Sequence, residues 1–134
     1  MGPPIEFLNP PAIAPSNGYS HVAKVHGGTL VFVSGQVALD AAGEVVGTGD
    51  YTAQAEQTFR NLAAALTAAG ADFRSVVKLG YFVLDLRALP EIRKVRDRFV
   101  DPEHPPASTA VQVGRLFRPD LLLEVDATAW IDGE

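Results

Sequence analysis

The chain has 134 residues, a net charge of −5, and 47% hydrophobic against 20% charged residues, values that fit one globular domain over 1–134 and exclude disorder. It contains no cysteine, which excludes disulfides, Cys-ligated zinc, iron–sulfur clusters and thiol catalysis. The acidic balance argues against a general nucleic-acid binder, because such binding relies on a basic surface.

The first residues, Met1 to Leu8, lack the basic start and continuous apolar run of a signal peptide. The segment Pro3-Pro4-Ile5-Glu6 does not fit a myristoylation start. No stretch approaches the ~20 apolar residues that cross a bilayer, so a cytoplasmic protein with no membrane partner is expected. Residues 1–18 carry Pro3, Pro4, Pro10, Pro11 and Pro15 and read as an extended lead-in, since proline removes backbone donors and fixes φ.

A strand pattern begins near Ser20, and Gly27-Gly28 marks a turn. Thr29–Gln36 reads as a buried strand rich in β-branched and aromatic residues. Asp40–Gly43 is a tight turn into a short strand around Glu44–Val46. A helix follows, capped by Asp50 and ended by Gly70. Ala55, Phe59, Leu62, Ala63, Leu66 and Ala69 form its apolar stripe, and Gln54, Glu56, Gln57, Arg60, Asn61 and Thr67 its polar face. Val76–Asp85 is a long strand. Pro90 opens a second helix with Ile92, Val95, Phe99 and Val100 as its stripe. The Pro-rich stretch 101–106 is a loop, and two strands, 108–116 and 122–131, close the chain.

This order predicts an α+β fold, a mixed six-stranded sheet with two helices on one face. In the last strand, Leu121, Leu123, Val125, Ala127, Ala129 and Ile131 point toward the helices. Leu122, Glu124, Asp126, Thr128 and Trp130 point away. In the strand 76–85, Phe82 and Leu84 oppose Val77, Leu79, Tyr81 and Val83, and in the strand 29–36 Leu30 and Phe32 oppose Val31 and Val33. Strands apolar on both faces are covered on both faces. With no third layer in so short a chain, the expected cover is another copy of itself, which puts any pocket at subunit boundaries.

On that face Glu124 and Asp126 are neighbours at i, i+2, where a carboxylate partly buried at a contact can serve as acid or base. The plain alternative is a solvated rim or an ion pair, and it is preferred for Asp126. Ser34, before Gly35 at a strand end, either floors a small pocket or makes a local backbone hydrogen bond. Tyr19 either walls a pocket with its ring and hydroxyl or simply packs. His21, His26 and His104 lack ligand spacing, so no metal is expected. Neither a nucleophile elbow nor a phosphate loop is present, and no organic cofactor is implied.

Asn17-Gly-Tyr-Ser20, Leu30-Val-Phe-Val-Ser-Gly-Gln36, Gly43-Glu-Val-Val-Gly47, Val76–Asp85, Pro106–Leu116 and Leu123-Glu-Val-Asp-Ala127 together resemble the Rid/YjgF family, the reactive intermediate deaminases also labelled endoribonuclease L-PSP. The likeness runs from about Ile13 onward. It implies a chorismate-mutase-like fold, a homotrimer with its sheets around a central barrel, and clefts between subunits. It also implies cofactor-independent hydrolysis of enamines and imines to a keto acid and ammonia. Carried over by position, Glu124 handles water and protons, while Tyr19 and Ser34 shape the cleft. Ser108 stands where deaminating members have the arginine that clamps a carboxylate, so a substrate other than the usual 2-imino acid is expected. Ser108 and Thr109 offer hydroxyls there. Arg93, on the second helix at the cleft edge, and Arg115 and Arg118, flanking the last hairpin, are candidate replacement cations, with a plain surface charge the preferred alternative for each. Two other readings are a noncatalytic trimeric metabolite binder and a ribonuclease or translation inhibitor, the latter opposed by the acidic balance.

Overall fold

The computed structural model describes residues 5–132. The elements in chain order are β1 (Ile5–Leu8), β2 (Val22–Val25), β3 (Thr29–Gln36), α1 (Tyr51–Ala68), β4 (Val76–Val83), α2 (Leu89–Arg96), β5 (Ala107–Gln112) and β6 (Leu123–Ile131). Four strands form a mixed sheet in the order β3-β6-β4-β5. The two pairings to β6 are antiparallel, and β4–β5 is parallel. Both helices pack on the face that carries Leu123, Val125, Ala127 and Ala129, in one continuous core with Phe59, Leu62, Leu66, Ile92 and Val95. This is the expected α+β architecture.

The strands depart from the sequence reading in three places. They divide into two sheets, since β1 and β2 form a separate antiparallel ribbon with Ile5 opposite Val25. The lead-in therefore contains a strand, β1; its residues 1–4 lie outside the described residues. The expected strand at Glu44–Val46 is absent. Only one bridge, Leu39 to Val45, forms there. The Asp40 carboxylate accepts from the backbone N–H of Ala42 and Glu44, both at 2.9 Å, and so closes the segment into a side-chain-locked turn.

Helix α1 begins where Asp50 accepts from the Ala53 N–H at 3.1 Å, the N-cap expected of aspartate. It ends in a Schellman arrangement, with Gly70 N–H to Thr67 O and Ala71 N–H to Leu66 O. Gly70 adopts φ 79°, which glycine accommodates without steric cost. Its polar face needs one correction. Gln54 is fully buried, donating to Gly47 O and Asp120 O and accepting from Leu122 N–H. With its amide so satisfied, burial carries no desolvation penalty, and Gln54 ties the helix to the loop before β6. Asn61 likewise donates to Val37 O and Leu39 O.

A register shift between Val76 and Lys78 lets Val76, rather than Val77, join the central core. At the far end of the sheet, the indole N–H of Trp130 donates to Gly27 O. Trp130 is thereby covered, at 3% exposed, by the turn of Gly27 and Gly28, which have φ of 65° and 76°.

Candidate functional site

In the parallel β4–β5 pair, Ser108 lies opposite Leu79 and Ala110 opposite Tyr81. Leu79 and Tyr81 belong to the core, so Ser108 faces the helix side of the sheet. The segment bearing Tyr19 is tethered alongside. Ser20 bridges to Ala107 in parallel register, its N–H donates to Pro106 O, and its hydroxyl donates to Pro105 O. These bonds bring Tyr19 and Ser108 to the edge of α2. There, with Asn17, Tyr81, Arg93 and Arg96, they line a cavity of about 20 Å³, room for one water-sized group. Asn17, Arg93 and Arg96 also line a groove of about 330 Å³.

The interior of this cavity is unusual in its polar groups. Tyr81 is 3% exposed, and its hydroxyl makes no well-aligned hydrogen bond among the described residues, although it lies beside the Arg96 guanidinium. Burial pushes this phenol up to about 12, although the nearby Arg96 and Arg93 charges pull the other way. It is therefore a proton donor at every physiological pH. Arg96 is 9% exposed and donates through Nε and Nη2 to a single oxygen of Asp97, at 3.0 and 2.9 Å. The Asn17-Gly18 turn lies over its guanidinium. A Cβ on Gly18 would sit 3.2 Å from Arg96 Nη2, and Gly18 has φ 80°. The positive φ favours glycine there, and a side chain would also crowd the guanidinium. Arg93, one turn earlier on α2, is exposed and enters no ion pair among the described residues.

The other expected residues occupy the opposite face. Glu124 pairs with Phe82, Asp126 with Gly80, and Thr109 with Gly80 from the other side. Ser34 is exposed beside the β3 irregularity between Val33 and Gln36. The Glu124 carboxylate lies over Gly35, where an added Cβ would come within 1.9 Å of Oε2. A single protomer thus assembles Tyr19, Ser108 and Arg93 on one side of the sheet and Ser34, Thr109 and Glu124 on the other.

Arg118 is engaged elsewhere, donating to Gly43 O at 3.0 Å and lying 3.7 Å from Asp120, while Arg115 is exposed. His21, His26 and His104 contact Ala14 O, Glu6 and Asp101. No group of three or more His, Asp or Glu among the described residues is placed to hold a metal ion. No helix among them is long and apolar enough to cross a membrane. Sequence reasoning singled out neither Arg96 nor Tyr81 as a site residue. The available signal was the i, i+3 spacing of Arg93 and Arg96, which puts both on one helix face.

Comparison with known proteins agrees along the whole length. Residues 10–131 match the family model described as Endoribonuclease L-PSP. The chain is 40% identical over 120 residues to protein DfrA of Myxococcus xanthus, covering 90% of this chain and 88% of that one. It is 33% identical to the 3-aminoacrylate deaminase RutC of Acinetobacter baylyi, covering 91% of each. The crystal structure of the Rid-family protein YyfB of Yersinia pestis superimposes with a TM-score of 0.87 at 34% identity, over 96% of this chain and 99% of that one. On sequence and fold together, the chain belongs to the endoribonuclease L-PSP family, that is, the Rid/YjgF proteins.

Proposed function

We propose that the protein hydrolyses a small reactive enamine or imine, releasing ammonia, at clefts between the subunits of a homotrimer. One observation carries this reading. Tyr19, Arg93 and Ser108, distant in sequence, meet around one cavity in a chain similar over 91% of its length to a relative named as a 3-aminoacrylate deaminase. The open sheet face, where Leu30 and Phe32 are 51% and 74% exposed, supports self-association, and the family resemblance suggests the trimer. Exposed apolar surface of this kind marks an interaction site, and a neighbouring copy whose own open face packs along the cavity edge of this protomer would supply Glu124 and Ser34 to it.

The chemistry needs no oxidant or reductant. Protonation of an enamine carbon gives an iminium ion, and water adds to the iminium carbon while the Glu124 carboxylate takes the water proton. That proton passes to nitrogen, the C–N bond breaks as ammonia leaves, and the hydroxyl proton returns to solvent in place of the one solvent gave to carbon, leaving a carbonyl. One water is consumed. Tyr19, Ser34, Ser108 and Thr109 shape the cleft and offer hydroxyls, and Arg93 supplies a cation. With Ser108 in place of a clamp arginine, we take the substrate to be other than the usual 2-imino acid.

The test is imine hydrolysis followed by semicarbazide trapping, with a panel that joins the 2-imino acids made by amino-acid oxidases to imines made by amine oxidases and to β-amino-acrylate enamines, the last two groups being where acceleration is expected. Faster loss of trappable imine is expected, and Glu124→Gln should slow it by about 10²-fold or more. No acceleration across the panel would favour the noncatalytic binder. RNA cleavage, which the family description names, is the weaker reading for a chain of net charge −5.

A further inference from the structure

We infer that Tyr81, Arg96 and Arg93 form a seat for a carboxylate group of the ligand, built from α2 and β4 instead of from β5. Three features converge on it. The Tyr81 hydroxyl is buried beside the Arg96 guanidinium with no well-aligned hydrogen bond among the described residues, and Tyr81 lines a cavity of about 20 Å³. A buried donor left unpaired is costly, and structures keep such groups where something else pairs them. The cavity also takes in two guanidinium groups, Arg93 and Arg96, and the glycine at 18 leaves the Arg96 guanidinium free of a side chain above it.

Charge decides what the seat takes. Asp97 offsets Arg96, whereas Arg93 has no ion-pair partner among the described residues. The net charge at the cavity is therefore close to one positive unit, which suits a monoanion. Asp97 occupies only Nε and Nη2 of Arg96, so Nη1 is available to donate alongside the phenol. Guanidinium N–H groups and a hydroxyl converging on one oxygen-sized space suit a carboxylate oxygen. The rest of a small ligand lies in the adjoining groove, which shares Asn17, Arg93 and Arg96. The inference deepens the proposed function, on which its identification of the ligand as a substrate rests: the enamine or imine carries a carboxylate, held from the α2 side.

The seat is tested by binding and not by turnover. Propionate and its neutral isostere propionamide are titrated into the full-length protein, with backbone and arginine Nε signals followed by NMR. Propionate should bind at least about tenfold more tightly than propionamide, the difference a charge-assisted contact makes. Arg93→Gln should remove about tenfold of that preference, and Tyr81→Phe a similar part. Tyr81→Phe deletes only a hydroxyl without a well-aligned hydrogen bond, so its melting temperature should not fall. The pair of variants is chosen because Arg96 is buried against Asp97 and its replacement risks misfolding. Equal binding of the two probes, or propionate affinity unchanged in both variants, would overturn the seat and leave a cavity that holds only water. Propionate binding without any imine hydrolysis would instead sink the proposed activity and leave the seat standing.

Discussion

Along β6, Leu123, Val125, Ala127 and Ala129 are at most 3% exposed beneath the helices, while the alternating residues Glu124, Asp126 and Thr128 look out from the other face with Leu30 and Phe32 uncovered beside them. One strand therefore serves two purposes. Its helix side completes a core within a single protomer, where Phe59 packs against Phe73, Tyr81 and Phe99 at ring separations of 5.6 to 6.5 Å. Its open side combines apolar surface with carboxylates and finds no full cover among the described residues. The difference teaches where each kind of residue acts: the helix face sets stability, and the open face carries the proposed association and, through Glu124, the proposed chemistry.

Three changes should sharpen that contrast. Phe59→Ala empties a fully buried site at the centre of the aromatic cluster, and it should cost about 3–5 kcal/mol in denaturant unfolding. A loss below 1 kcal/mol would mean that the core on the helix side is misassigned. A smaller effect comes from alkali. The Tyr81 phenol, raised to about 12, stays protonated in the folded state while the unfolded chain releases its proton near the ordinary value of 10. Stability should then fall as pH rises from 10 toward 12, by up to about 3 kcal/mol at 1.36 kcal/mol per unit. In Tyr81→Phe this part of the decline should vanish, and an identical alkaline profile in the two proteins would contradict the burial argument. The smallest effect on protomer stability is expected from Phe32→Ser on the open face, within about 0.5 kcal/mol. Yet the same change should shift sedimentation toward smaller species. Unchanged assembly in that variant would remove Phe32 from the contact.

Much of this contrast is legible in the sequence because period-2 alternation in β6 and the 3.6-residue stripe of α1 are strong, local signals. Asp50 and Gly70 announced the ends of α1 for the same reason, since each cap rests on one residue's own chemistry. What escaped was non-local. Gln54 reads as polar and exposed until the Gly47 and Asp120 carbonyls arrive to accept from it. Arg96 reads as a surface charge until the Asn17-Gly18 turn covers it. The ribbon of β1 and β2 depends on a pairing between Ile5 and Val25 that no local pattern specifies. The family resemblance supplied Tyr19, Ser34 and Glu124 by position. It did not show that the first lies across the sheet from the other two.

That separation leads to the measurement closest to the central claim. If the site is completed across a subunit seam, Glu124→Gln and Arg93→Gln damage different contributors to the same cleft. Each variant alone should be nearly inactive in imine hydrolysis. Mixed oligomers, formed by co-expression or co-refolding, should regain about a quarter of wild-type activity, because a seam joining one intact Glu124 to one intact Arg93 arises by chance about that often in a symmetric ring. Mixed oligomers as inactive as their parents would contradict the account.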